Sequence, residues 1–280
     1  MASGAVRPLV RLYAWGLAGV VLPLLLLVAG LAAAQFAAER AARLELIARD
    51  LVDLRLTVDA LLEPADVHVR QLRRLAEDHL AGRLATPAAP LRALLRPASW
   101  TTGGLRSEAL LLDGVAGTPA ERLVGNLHGR AGLLERRGGD PLEVDMALGL
   151  FEPMRLAHLA SPHLRRSYYF SARGDFLVVY PFASGRASAR ELGSRSFDDY
   201  LAAMYALYIY RLAPPSQNPG RHGSYWTPAH FDAGAGGWTV GHAAPVRVDG
   251  VFAGVVATDI LLRFLDTALA RHHRPPGRVW

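Results

Sequence analysis

The first pattern along the chain is a long run without charge. From Leu12 to Ala38 there are 27 uncharged residues, most of them Leu, Val, Ala or Gly. At about 1.5 Å per residue such a helix reaches about 40 Å, enough to cross a hydrocarbon core of about 30 Å with tilt. Pro23 lies mid-span, which membrane helices tolerate, and Tyr13 and Trp15 stand at the near end, where amphipathic rings favour the interface. Arg7 and Arg11 precede the span, and Glu39, Arg40 and Arg43 follow it. The short basic stretch 1–11 predicts a cytoplasmic N-terminus, a transmembrane helix over 12–38, and residues 39–280 on the periplasmic side of a cell inner membrane. The rival reading is a cleaved signal peptide, since Leu31-Ala32-Ala33-Ala34 offers small residues to a peptidase. Its apolar stretch is longer than the about 7–15 residues of such signals. Both readings send the remainder across the membrane.

After the span, Leu44, Ile47, Leu51, Leu54, Val58 and Leu61 recur at heptad spacing, with charges on the other faces. This predicts a helical stalk over 39–82, interrupted at Pro64, which either pairs with a second copy as a homodimer or packs on its own domain. Residues 82–104 are rich in Ala, Pro and Gly, and 83–104 reads as a linker. Beyond it the period shortens. Residues 108–113 and 121–127 read as paired strands, and 142–159 as a helix bent or split at Pro153. Residues 167–172 and 175–181 read as a hairpin about Arg173-Gly174, and 197–211 as a helix rich in Tyr, Leu and Met. Residues 238–248 and 251–259 form a second hairpin turning at Asp249-Gly250, a strong turn dipeptide. A closing helix is expected from Ile260 to about Ala270. Strand pairs interleaved with helices predict an α+β domain with an antiparallel sheet over 105–270, followed by a tail at 271–280.

Composition narrows the chemistry more than it names it. There are no cysteines, which excludes disulfides, thiolate metal sites and cysteine nucleophiles. The net charge of +6 comes from 31 basic residues, all arginine, in an Ala- and Gly-rich chain. Codon bias in a GC-rich genome accounts for that, so the charge predicts no nucleic-acid partner. Gly138-Gly139-Asp140 and Arg173-Gly174-Asp175 read as turns. P-loop, zincin and nucleophile-elbow motifs are absent from the sequence, and the histidines lack metal spacing. The expectation is no catalytic residue, no metal, no cofactor, and no enzyme activity in this chain.

The informative stretch is 167–266. Ser167-Tyr168-Tyr169-Phe170 leads through Val178-Val179-Tyr180-Pro181; later come Tyr225-Trp226-Thr227-Pro228 and Asp232, then Ala244-Pro245-Val246 and Asp249-Gly250 through Gly254-Val255 to Asp259. Over roughly 100–270 the chain resembles the Cache family of PAS-like extracytoplasmic sensor domains, found in sensor histidine kinases, diguanylate cyclases and chemoreceptors. The resemblance implies a small-molecule ligand, an amino acid or carboxylate, with Asp232 and Asp259 on its ammonium. It also implies Arg221, Tyr225 and Trp226 around its carboxylate. His230 and Gly241 depart from the family pattern, which commonly has tyrosine and threonine there. The plain alternative is that Asp232 caps a turn, Asp259 caps the final helix, and Arg221 and Trp226 pack in a loop.

The resulting expectation is the ligand-sensing front of a longer signalling receptor, with a kinase or cyclase output beyond residue 280. The alternative is a stand-alone anchored binding module that presents its domain to another protein.

Overall fold

The computed structural model describes residues 6–85, 89–102, 105–112, 125–135, 141–182, 185–217, 223–232 and 237–265. The chain forms two compact units, residues 1–57 and 58–280. The expected turn at 138–140 and the tail at 271–280 lie outside the described residues.

In the first unit the backbone is helical, as part of α1 (Val6–Leu80). The apolar side chains of Leu17, Leu22, Leu25 and Leu31 are exposed, and so are the seam residues Leu44, Ile47 and Leu51. By length and composition this helix can cross a membrane.

The second unit begins with the last turns of α1. Here Ala65, Val69, Leu72 and Ala76, spaced 4, 3 and 4 apart, are fully buried, so this stretch packs on its own domain rather than forming a free stalk. Pro64 does not interrupt the helix. Proline in a helix interior costs about 3 kcal/mol, and the buried face just beyond it opposes a break.

The remaining elements alternate between helices and strands. They are α2 (Ala89–Arg92), β1 (Arg96–Thr102), β2 (Leu105–Leu112), β3 (Asn126–Arg130), α3 (Pro141–Gly149), α4 (Phe151–Ala160), β4 (Leu164–Ser171) and β5 (Phe176–Tyr180). Then come α5 (Gly185–Glu191), α6 (Phe197–Tyr205), α7 (Tyr208–Arg211), β6 (Tyr225–Trp226), β7 (His230–Asp232), β8 (Gly237–Val248) and β9 (Val251–Leu261). The described strands form one antiparallel sheet in the order β1-β2-β3-β5-β4-β9-β8-β6, with β7 also on β8. The fold is therefore mixed helix and antiparallel sheet.

Several expectations are corrected. The segment 83–104 is not simply a linker, because it holds α2 and the edge strand β1; an edge position tolerates Pro97, whose presence made the segment read as a loop. Residues 121–124 lie outside the described residues, and the strand paired with β2 is 126–130. The helical stretch over 142–159 breaks at Leu150, not at Pro153. Pro153 sits in the first turn of α4, where a missing N–H costs nothing. The helix expected over 197–211 divides where Leu207 turns extended, at ψ 147. The last strand runs through Ile260 to Leu261, so Asp259 lies inside β9 and does not cap a helix. Asp232 likewise lies in a strand, β7. The two hairpins are found where expected. Asp249 and Gly250 take φ of 50° and 80°, the paired left-handed residues that match strand twist.

Alternation along the central strands sends side chains to two cores. Tyr169, Phe176, Val178 and Val256 face α1, α3 and α4. Tyr168, Phe170, Leu177, Val179 and Val255 face α5, α6 and α7. A bulge in β4 between Leu164 and Arg166 shifts the register by one, so Leu164 joins Ile260 and Ala65 on the first face while Arg166 opposes Asp259 on the second.

Candidate functional site

The second face does not close completely. Under α5, α6 and α7 lies a cavity of about 180 Å³. Its polar end is built by β4, β9 and β7, which bring Arg166, Tyr168, Asp259 and Asp232 together. The alternation that buries Phe170 and Tyr168 carries Arg166 to the same face, and the β4–β9 register sets it opposite Asp259.

Asp259 is 3% exposed. The Tyr168 hydroxyl donates to its Oδ2 at 2.8 Å, while its Oδ1 has no hydrogen-bond partner. Burial pushes the Asp259 carboxyl up to about 6, and neighbouring Asp232 adds to this; the Tyr168 hydrogen bond, His230 and Arg166 only partly oppose it. An open carboxylate oxygen is costly in such a place and demands a donor from elsewhere. Arg166 reaches Asp232, with Nη1 3.9 Å from Oδ2 and both side chains about four-fifths buried.

Gly241 explains why Oδ1 remains open. It is the register partner of Asp259, and a Cβ there would stand 3.1 Å from Oδ1, 3.1 Å from Ile209 and 3.2 Å from Thr227. The strand is held this close by Thr227, whose hydroxyl accepts from the Gly241 N–H at 2.8 Å. Its own N–H donates to the Gly241 carbonyl at 2.8 Å. Glycine at this position carries no side chain that could satisfy Asp259.

At the opposite end His128 on β3 pairs its Nδ1 with the Tyr200 hydroxyl at 2.9 Å, and Ser188 and Glu191 enter from α5. Val179, Met204 and Leu207 form the apolar waist. Ser196 caps α6 by accepting from the Asp199 N–H at 3.0 Å, which fixes the start of the helix that carries Tyr200 and Met204.

Of the residues singled out in the sequence, Asp232 and Asp259 line this cavity together. Tyr225 and Trp226 do not line it. Tyr225 is buried in the core with its hydroxyl donating to the Ile209 carbonyl, and Trp226 stacks on His242 at 4.2 Å beside the Leu164–Ile260 cluster. Arg221 lies outside the described residues. Arg166 and Tyr168 were missed. Their signal was the period-two run Arg166, Tyr168, Phe170, hidden because the strand was expected to begin one residue later, at Ser167.

The chain aligns with sensory domains of known structure. One is the ligand-binding domain of the Pseudomonas fluorescens chemoreceptor CtaA in complex with L-serine, at 21% identity over 47% of this chain and 47% of that one, with a TM-score of 0.33. Another is the ligand-binding domain of the Pseudomonas aeruginosa PAO1 amino-acid chemoreceptor PctC in complex with GABA, at 22% identity over 49% and 52%, with a TM-score of 0.31. A third is the ligand-binding domain of the Campylobacter jejuni chemoreceptor Tlp3 in complex with L-norvaline, at 13% identity over 80% and 65%, with a TM-score of 0.32. The chain spans about half the length of the first of these structures. Neither a family model nor a curated protein matches the chain.

Proposed function

We propose that this chain is the ligand-sensing region of a membrane-anchored receptor, and that its ligand binds in the cavity under α5–α7. The observation that carries the reading is the Asp259 carboxylate, almost wholly buried, facing the cavity with one oxygen unpartnered. A fold selected for stability alone does not leave a buried carboxylate open beside another acid. The PAS-like Cache resemblance and the apolar helix that precedes the domain support the same reading. In it residues 12–38 cross the inner membrane, residues 39–280 are periplasmic, and the exposed seam of Leu44, Ile47 and Leu51 pairs two copies. The chain itself catalyses nothing and holds no cofactor; a kinase or cyclase output is the work of a further region. Signalling needs a ligand with different affinity for two states of the domain.

The test is thermal unfolding of the full chain in lipid nanodiscs against a library of small polar metabolites. A true ligand stabilises as RT ln(1 + [L]/Kd), and its effect disappears in Asp259→Asn. A library that leaves the melting curve unchanged, or a stabilisation that persists in the variant, overturns the reading. Because the chain has no cysteine, topology is read separately. An impermeant maleimide should label Ser216→Cys from the periplasm of intact cells, and labelling only after lysis would remove the anchor assignment.

A further inference from the structure

We propose that the domain has a second input besides its cavity, and that this input is the proton. Acid charges His68 and His158 in the seam between α1 and the sheet, and frees the turns of α1 around His68. The seam lies on the face opposite the cavity, so this input is independent of what the cavity binds.

Strand register builds the seam. Tyr180, Ser167, Thr258, His242 and Trp226 are successive partners across β5, β4, β9, β8 and β6, so they form one row on one face. This polar and aromatic belt crosses a face otherwise packed by residues such as Leu72, Val178 and Val256. On α1, His68 shares the buried helix face of Ala65, Val69 and Leu72 and is 2% exposed. Helix α4 brings His158 to the same place. Both imidazoles direct Nε2 at one oxygen, Ser167 Oγ, at 2.9 Å each, and their rings stand edge to face with centroids 6.3 Å apart. The single hydroxyl proton of Ser167 goes to Thr258 Oγ1, so both rings donate through Nε2–H. Their shared acceptor is a hydroxyl and not a carboxylate, so a second proton on either ring gains no ion pair there.

The charges on the surrounding elements do not offset that second proton. On α1, Asp66 is held by Arg70 at 2.7 Å and lies 3.6 Å from His242 Nε2. On α4, Arg155 is paired with Glu152 at 2.7 Å. Strand β5 presents Tyr180, edge-on to His158 at 5.2 Å, and β4 and β9 present the hydroxyls of Ser167 and Thr258. Strand β8 presents His242, stacked on Trp226 of β6. Burial lowers His68 to about 3, with His158 adding to it, and burial lowers His158 to about 4. Burial also lowers His242, but Asp66 opposes this, so it contributes less.

The sign follows from linkage. A ring that leaves the seam returns toward about 6.5 and takes up a proton, so acid favours the open form from about pH 6.5 downward. Two imidazolium rings at the closed spacing would repel each other as well. Opening is local because the far end of the helix is held separately. There Glu77 Oε1 accepts from the Arg247 N–H at 3.1 Å, and Leu72 and Ala76 are fully buried. The freed turns belong to the same helix that carries the apolar run over 12–38.

The test is pulsed electron-spin distance measurement on the full chain in nanodiscs at pH 7.5 and pH 4.5. The chain has no cysteine, so labels can be placed singly at exposed positions. Glu63→Cys with Val251→Cys reports α1 against the sheet, and Ala202→Cys with Val251→Cys reports the body of the domain. At pH 4.5 the first pair should show a second distance component at least about tenfold more populated than at pH 7.5. A single imidazole two pH units below its open-state value shifts such an equilibrium by up to about a hundredfold. The second pair should not change. His68→Gln combined with His158→Gln should abolish the new component, because each amide still donates to Ser167 but takes no charge. An unchanged first pair overturns the proposal, and so does an opening that persists in the double variant. Broadening of both pairs together would be global acid unfolding and also overturns it. None of these outcomes bears on ligand binding in the cavity.

Discussion

Ser167 and Asp259 sit on adjacent rows of the same strand pair, β4 and β9, and face opposite sides of the sheet. Both are buried. Ser167 is saturated, with His68 Nε2 and His158 Nε2 each 2.9 Å from its oxygen and its hydroxyl donating to Thr258 Oγ1 at 3.2 Å. Thr258 in turn donates to the Arg166 carbonyl at 3.0 Å. Asp259 accepts one hydrogen bond, from Tyr168, and leaves an oxygen open. The same backbone thus supports a closed polar cluster against α1 and α4 and an open one under α5–α7. On the first face polar groups lock helices to the sheet, and on the second they await a donor that the fold does not provide.

The sharpest way to break the comparison is to cut both faces at matched depth. Leu72→Ala removes a fully buried side chain from the face packed by α1 and should cost about 3 kcal/mol. Met204→Ala, at the waist of the cavity, should cost less than about 1.5 kcal/mol, because the space beside it is already open. Chemical denaturation of the two variants checks this, and equal losses would mean that the second face is as tightly packed as the first.

Ser167→Ala comes next. It strands the imidazole groups of buried His68 and half-buried His158 and should destabilise by about 1–3 kcal/mol through the unsatisfied His68, with a smaller addition from His158. Asp259→Asn should move the other way. Its fold-raised pKa means that the native environment disfavours the charged form, so a neutral isostere that still accepts from Tyr168 should stabilise the unliganded chain by about 1–2 kcal/mol at pH 7.5. A variant that is more stable yet cannot bind ligand is the expected signature of a site kept at the expense of stability. A less stable Asp259→Asn would make the carboxylate structural.

The last effect is read from pH. Burial lowers His68 to about 3, with His158 adding to it, and burial lowers His158 to about 4. The unfolded chain therefore binds more protons than the folded one below about 6.5, and stability falls as pH drops from there toward 4. Asp259 opposes this. Its folded value of about 6 against 3.8 means that the native state binds the extra proton, so its contribution improves as pH falls through 6. Melting temperature should decline on acidification between pH 6.5 and 4, more steeply in Asp259→Asn and less steeply in His68→Gln. An unchanged slope in both variants would detach these groups from the pH response.

Much of the secondary structure was legible because it is local. The charge-free run over 12–38, the Asp249-Gly250 turn and the alternation in β4, β5, β8 and β9 each act through neighbouring residues. Errors came where tertiary contacts outweigh local preference. Pro64 reads as a break but is carried by the buried Ala65–Ala76 face of α1, and Pro97 reads as linker but is tolerated on an edge strand. Pro153 reads as a kink but falls in a first turn. In the site, Asp232 and Asp259 could be named from a family resemblance. Arg166 could not, because a one-residue bulge decides which face it shares with Leu164.

By itself the sequence determined a chain with a membrane-length apolar helix, an α+β domain after it, an arginine-only supply of fixed positive charge, and no thiol chemistry. These follow from composition and from periods of 2 and 3.6, which need no partner. The tertiary structure alone decided that α1 packs on the sheet beyond residue 58 and that Tyr225 and Trp226 belong to packing. It also decided that Arg166 is shared between two acids and that Asp259 keeps an oxygen open behind Gly241. Each of these depends on strand register, and register is set by contacts between residues as far apart in the chain as Leu164 and Ile260.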